Sequence, residues 1–276
     1  MASHPYAPRT PAGRDALARI ITRPQRSVIA LDFDGTLAPI VPDPDHARPH
    51  PTVLPALTAL APKVAAIAVV TGRPAGVAVR QGGFAGVPGL EHLVVLGHYG
   101  AERWDAATGT VTAPAPHPGV ATVRAELPGV LAELNLWHDT YVEEKGRAVA
   151  VHTRRASDPQ GAFDALRTPL AELAARHGLI VEPGRLVLEL RPPGVDKGVA
   201  LAEYVREVGA EAVLYAGDDL GDLPAFAAVE KLRSDGVPGL LVAADDVVPE
   251  LADRADLLVE GPVELAEFLS VLAQRL

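Results

Sequence analysis

The chain has 276 residues, 48% of them hydrophobic and 22% charged, with no cysteine and a formal net charge of −10. That length suits one large or two modest domains with a sizeable core, and the missing cysteines exclude a disulfide scaffold, a thiolate zinc site and a cysteine nucleophile. The acidic balance argues against a general nucleic-acid or anionic-membrane binder, because no basic field exists to release phosphate counterions.

Residues 1–13 lack the apolar run of a secretory signal and read as a short flexible tail. From there, short near-continuous apolar runs predict buried parallel strands at Ser27–Phe33, Ala65–Val70, His92–Leu96, Ala212–Ala216, Gly239–Ala243 and Asp256–Val259. Helix-like stretches rich in Ala, Leu and Glu lie between them, ending with Pro262–Leu276. This alternation predicts an α/β fold with a doubly wound, mostly parallel sheet. The most apolar stretch, Val53–Val70, contains Pro55, Pro62 and Lys63, so it cannot span a membrane. A soluble, cytoplasmic protein is the expectation.

The middle of the chain has a different pattern. It predicts helices at Ala121–Leu134 and Ala162–His177, and strands at Thr140–Glu144, Ala148–Thr153, Ile180–Glu182 and Leu186–Arg191. Val149, Val151 and Thr153 alternate with Ala150, His152 and Arg154, which suits an antiparallel sheet with one face on helices and the other facing something polar. Pro-rich stretches at Ala113–Pro118 and Pro192–Gly194 bracket the region like hinges. The expected organisation is a tail (1–13), a catalytic core (14–114 and 193–276) and an inserted α+β cap (115–192).

Four short runs at strand ends carry candidate chemistry. In Asp32-Phe-Asp-Gly-Thr36, two carboxylates one residue apart leave a strand at its carboxyl end, where open α/β sheets bind ligands. Mg²⁺, a hard cation, binds through one or two carboxylates plus phosphate oxygens. With a cation screening the repulsion, Asp32 could attack phosphorus, and Asp34 could reach the leaving oxygen as acid–base. Thr71-Gly72-Arg73 offers a hydroxyl and an unhindered amide beside a helix start, a small anion cradle. Lys197 sits in the first turn of a helix capped by Asp196, against the macrodipole, which is tolerable if an anion shares the site. Gly217-Asp-Asp-Leu-Gly-Asp222 gathers three carboxylates that a cation would relieve, with Asp218 the candidate ligand and Asp219 and Asp222 organising the cation, its water and Lys197.

Together these runs resemble the haloacid dehalogenase superfamily of aspartyl-phosphate phosphatases, and within it the trehalose-6-phosphate phosphatase family. The likeness also draws on Asp32–Ile40, Gly100-Ala-Glu102, Val142–Gly146 with His152-Thr-Arg154, and Leu188–Pro192 before Asp196-Lys-Gly198. The resemblance implies Mg²⁺-dependent hydrolysis of trehalose 6-phosphate, or of another sugar phosphate such as sucrose 6-phosphate or mannosyl-3-phosphoglycerate. A silent sugar-phosphate sensor is the rival from another class. The resemblance makes Asp32 the nucleophile, Asp34 the acid–base, Thr71 and Lys197 the groups holding phosphoryl oxygens, and Asp32, Asp34, Asp218 and Asp222 the metal set. Gly72, Arg73, Glu102, Glu143, Lys145, His152, Arg154, Glu189 and Arg191 become substrate contacts. It also implies a functional link to a trehalose-6-phosphate synthase, and a cap that closes over the sugar. The chain departs from the family pattern at Tyr99, Gly221 and Leu223, in loops expected to face the substrate.

Overall fold

In a computed structural model, residues 6–245 and 248–276 are described. The chain divides into two compact units, Met1–Ala113 with Asp196–Leu276, and Pro114–Val195. In chain order the first unit contains α1 (Pro11–Thr22), β1 (Ser27–Leu31), α2 (Val53–Leu60), β2 (Ala66–Val70), α3 (Ala75–Gly82), β3 (Leu93–Gly97), β4 (Glu102–Asp105) and β5 (Thr110–Thr112). The second contains α4 (Pro118–Glu133), β6 (Tyr141–Glu144), β7 (Val149–His152), α5 (Pro159–Arg176), β8 (Ile180–Gly184) and β9 (Val187–Arg191). The chain then returns to the first unit with α6 (Lys197–Val208), β10 (Ala212–Gly217), α7 (Leu223–Ser234), β11 (Gly239–Ala243), α8 (Pro249–Ala252), β12 (Leu257–Leu258) and α9 (Gly261–Arg275).

The first unit is built on one eight-stranded sheet of order β12-β11-β10-β1-β2-β3-β4-β5. All pairings from β12 to β3 are parallel; β4 and β5 add antiparallel. The apolar runs form parallel strands because both of their faces are covered. Ile29, Leu31, Ile67 and Val69 pack with α1, α2 and α9 on one side. Val28, Ala30, Ala68 and Val70 pack with α6 and α7 on the other. From β1 the chain winds outward to β3; from β10, beside β1, it winds the opposite way to β12. The β1–β10 boundary is therefore the topological switch point, the place where open α/β sheets bind ligands outside the carboxyl ends of the strands.

Two features of this unit differ from the sequence reading. The β4–β5 hairpin was not anticipated: Glu102–Asp105 and Thr110–Thr112 are short and largely polar, and apart from the buried Trp104 they are half to fully exposed, so no apolar run announces them. The tail is shorter than 1–13. Residues 1–5 of it lie outside the described residues, but Tyr6 is buried and packs edge-on against Phe268 of α9, with ring centroids 5.4 Å apart. Thr10 caps α1 by accepting from the Gly13 amide at 2.9 Å, and its hydroxyl also bonds Asp256. One buried aromatic and one cap are enough to dock this segment.

The second unit is an antiparallel four-stranded sheet, β6-β7-β9-β8, lying on α4 and α5. Val149, Val151, Leu188 and Leu190 pack on the helices. The period of two puts Tyr141, Glu143, Ala150, His152, Glu182, Glu189 and Arg191 on the opposite face.

Candidate active site

Asp32 follows β1, and Asp218 and Asp219 follow β10, on neighbouring strands paired from Ser27↔Ala212 to Leu31↔Ala216. The Asp32 amide continues that ladder by donating to the Ala216 carbonyl at 2.9 Å. Lys197 opens α6, whose Asp196 cap accepts from the Val199 amide at 2.8 Å. Its Nζ donates to Asp32 Oδ1 and to Asp222 Oδ1, both at 2.7 Å, although the three positions lie far apart in sequence. All three residues are buried.

Burial alone would pull the Lys197 ammonium down, but the Asp222 and Asp32 charges outweigh it and hold the group well above its ordinary value. It stays cationic. Burial pushes the Asp32 carboxyl up, with Lys197 pulling against it and Asp222, Asp218 and Asp219 adding to the rise. Asp218 is pushed up to about 8 by burial first, then by Asp222 and Asp219. One ammonium thus faces more negative charge than it can offset, an imbalance that a divalent cation removes.

The donor set fits such an ion. Asp32, Asp218 and Asp222 each offer an oxygen within 4.8 Å of the others. Gly35, at φ +82°, lets the chain turn here, and a Cβ at that position would lie 1.9 Å from Asp218 Oδ2. Thr36 adds a hydroxyl donor to Asp218 Oδ1 at 3.1 Å. Asp222 has further partners within the protein. Its Oδ1 accepts from Lys197 and from the Tyr215 hydroxyl at 2.6 Å, and its Oδ2 from the Asp218 and Asp219 amides at 2.9 and 3.2 Å. With four donors on its oxygens, Asp222 also anchors Lys197 and the loop. The Asp34 side chain is also outside this cluster: Arg73 Nε and Nη2 donate to its two oxygens at 2.6 and 2.7 Å.

The second run lies at the next strand end. Thr71 is buried after β2, and its Oγ1 accepts from the Arg73 amide at 3.1 Å. Gly72 is closely covered, since a Cβ there would meet the Tyr99 ring at 2.8 Å. Tyr99 adopts φ +58° and His98 φ +48°, strained values for non-glycine residues, and their amides tie the loop to the Thr71 and Arg73 carbonyls at 2.9 and 2.8 Å. Two expected substrate contacts have other work. Arg73 holds Asp34, and Glu102 Oε2 accepts from the Ala75 amide at 2.8 Å, capping α3. Of the other departures from the family pattern, Gly221 donates its amide to Asp219 Oδ1 at 2.8 Å, and Leu223, the first residue of α7, packs against the core.

In the second unit, β9 sets Glu189 directly opposite Glu182 and Ala150. Like charges in register are costly. Lys145 Nζ relieves Glu189 at 2.6 Å, and Arg191 Nη2 relieves Glu182 at 2.7 Å. His152 Nε2 meets Glu143 Oε2 at 2.9 Å. Among the described residues, Glu189 Oε1 is left buried without a hydrogen-bond partner. Glu143, Lys145, His152 and Glu189 thus share one polar face. Arg154 does not join them: it donates to the Arg185 carbonyl in the β8–β9 turn, twice at 3.2 Å. Arg191 also holds the Pro192 and Val195 carbonyls at the end of this unit. Sequence reading missed Glu182, Tyr215 and Gln81. Gln81 left the clearest trace, an amide on the otherwise apolar buried stripe of α3.

Comparison with known proteins gives the family. The family profile described as "Trehalose-phosphatase" matches residues 30–257. The chain belongs to the trehalose-phosphatase family. A curated relative, the trehalose-phosphate phosphatase of Mycobacterium avium (strain 104), is 36% identical over 273 residues, covering 96% of this chain and 65% of its own length. The chain thus spans about two-thirds of that relative. Among solved structures, the C-terminal domain of C. albicans trehalose-6-phosphate phosphatase superposes with a TM-score of 0.76 at 22% identity, covering 99% of each chain. A haloacid dehalogenase-like hydrolase from Bacteroides thetaiotaomicron gives 0.63 at 16% identity, covering 89% of this chain and 99% of its own. These two likenesses speak for the fold: a doubly wound sheet of the haloacid dehalogenase type with an inserted α+β unit. Among the described residues no helix is long and apolar enough to cross a membrane.

Proposed function

We propose that this chain is a Mg²⁺-dependent phosphatase that hydrolyses trehalose 6-phosphate to trehalose and phosphate through an aspartyl-phosphate on Asp32. The observation that carries the reading is the Lys197 ammonium bridging Asp32 and Asp222 at 2.7 Å, beside Asp218 at the switch point. An ammonium so held meets an incoming phosphoryl group without reorganising.

Asp32 attacks phosphorus as the ester P–O bond breaks, and the departing sugar oxygen takes a proton from Asp34. Water then attacks the same phosphorus, Asp34 accepts its proton, and the Asp32 carboxylate is regenerated. Lys197 and the Thr71 hydroxyl bind phosphoryl oxygens, and Asp222 with Tyr215 keeps Lys197 in place. The Asp32 and Asp218 side chains and the Asp34 carbonyl would hold Mg²⁺, which supplies charge neutralisation between nucleophile and phosphate.

The second unit serves as the cap of the reading, gripping sugar hydroxyls with Glu143, Lys145, His152 and Glu189. Supporting this, the orphaned Glu189 oxygen is an acceptor that costs free energy until a donor such as a hydroxyl meets it. The reading extends to a cytoplasmic enzyme linked to a trehalose-6-phosphate synthase, whose product it would consume.

The test is phosphate release from trehalose 6-phosphate beside sucrose 6-phosphate, glucose 6-phosphate and mannosyl-3-phosphoglycerate, with Mg²⁺ and with chelator. The reading requires a clear preference for the first, lost on chelation. Preference for another ester would replace the substrate and leave the chemistry standing. Binding without turnover of any ester, p-nitrophenyl phosphate included, would favour a sensor.

A further inference from the structure

Asp34 lies two residues from Asp32, close enough in the chain to become a further ligand of any cation held at the strand end. It is kept elsewhere. Arg73 Nε and Nη2 take its two oxygens in a planar fork, at 2.6 and 2.7 Å, which fixes the orientation of the carboxylate as well as its position. The guanidinium is itself fixed on two further sides. Its carbon lies 5.5 Å from the centre of the Phe33 ring, and Nη1 donates to Gln81 Oε1 at 2.7 Å. Gln81 is buried on α3 beside Ala78 and Val79, where an amide is costly unless both ends are paired. Both are: Nε2 donates to the Pro44 and Asp45 carbonyls at 3.1 and 3.2 Å. A chain of contacts therefore runs from the loop after the first motif, through Gln81 and Arg73, to Asp34.

We propose that Arg73, set in place by Gln81, is a positioning residue for Asp34, holding that carboxylate out of the Asp32–Asp218–Asp222 cluster and reserving it for the leaving-group oxygen. The inference rests on the acid–base role proposed above for Asp34. It divides two neighbouring carboxylates by their cationic partners: Asp32 pairs with Lys197 and Asp34 with Arg73.

The experiment is the dependence of kcat/KM on leaving group across p-nitrophenyl phosphate, phenyl phosphate and glucose 6-phosphate. That constant covers attack and departure but not breakdown of the phosphoenzyme. A nitrophenolate leaves without a proton, whereas a sugar alkoxide needs one. Gln81→Met should lower kcat/KM on the sugar ester by about 10-fold or more and on the nitrophenyl ester by less than about 3-fold. Arg73→Lys, which keeps the charge but not the fork, should do the same and serves if Gln81→Met fails to fold. Added to Asp34→Asn, either change should cost nothing further on the sugar ester. Equal losses on all three esters, or full additivity with Asp34→Asn, would reduce Arg73 and Gln81 to structural parts. These simple esters make the test independent of the trehalose assignment. An Asp34→Asn variant with no leaving-group dependence would overturn the acid–base role, and the inference with it.

Discussion

The two units handle charge in different ways. In the first, Asp32, Lys197 and Asp222 are buried together from distant stretches of chain, and the Lys197 ammonium and both Asp222 oxygens are met by short, directed bonds. In the second, charged residues lie on one face of an antiparallel sheet, pair across neighbouring strands or the adjoining turn, and leave one Glu189 oxygen unpartnered among the described residues. Burial with complete pairing suits a charge that must stay put while bonds break. A half-buried face with a spare acceptor suits recognition of hydroxyl groups, where the ligand completes the hydrogen bonds.

This contrast predicts that changes in the buried Asp32–Lys197–Asp222 cluster destroy turnover of every ester, whereas changes on the polar face of the second unit discriminate among them. The largest expected effect is Asp32→Asn, which should lower kcat by at least about 10³-fold with any phosphate ester while circular dichroism stays native, since an amide is a poor nucleophile. Substantial residual turnover would remove Asp32 from its role. Next, Lys197→Met should abolish turnover and also destabilise, by about 3–5 kcal/mol in denaturant titration, because Asp32 and Asp222 lose a buried partner. A stable, active variant would mean that the bridge matters little.

Lys145→Ala should raise KM for the disaccharide by about 10-fold and leave p-nitrophenyl phosphate almost untouched, as expected for a contact to a remote group that is uniform along the reaction. Equal loss on both substrates would erase the distinction between the units. The smallest effect is on stability. Asp218, near 3.8 when unfolded, is pushed up to about 8 in the fold. The stability this permits is complete below the unfolded value and is lost as pH climbs through the folded one. Mg²⁺ opposes that loss, so the Tm gained on adding Mg²⁺ should grow by a few degrees between about pH 5 and about pH 8. A gain independent of pH would contradict the charge imbalance.

Much of the core could be read from sequence because its chemistry sits in contiguous motifs directly after apolar strands. A parallel strand flanked by helices both buries itself and delivers the next residues to one sheet edge, so Asp32, Thr71 and Asp218 needed no long-range information. What sequence left open were the partners. The Asp34–Arg73 fork crosses between two strand-end loops, and the bonds of Asp222 to Lys197, Tyr215 and two amides are set by the fold rather than by the motif. In the second unit, period-two alternation gave the polar face, but only the strand register set Glu189 opposite Glu182, and only the turn at Arg185 drew Arg154 away from Lys145. The β4–β5 hairpin stayed hidden because polar edge strands carry no hydrophobic signal.

The most direct test is to quench the protein in acid during turnover of ³²P-labelled sugar phosphate and map the label. Radioactivity on the peptide containing Asp32, lost when the reaction is chased before quenching, is the predicted result. Free phosphate appearing at full rate with no label on the chain, or with label on another residue, would contradict the account.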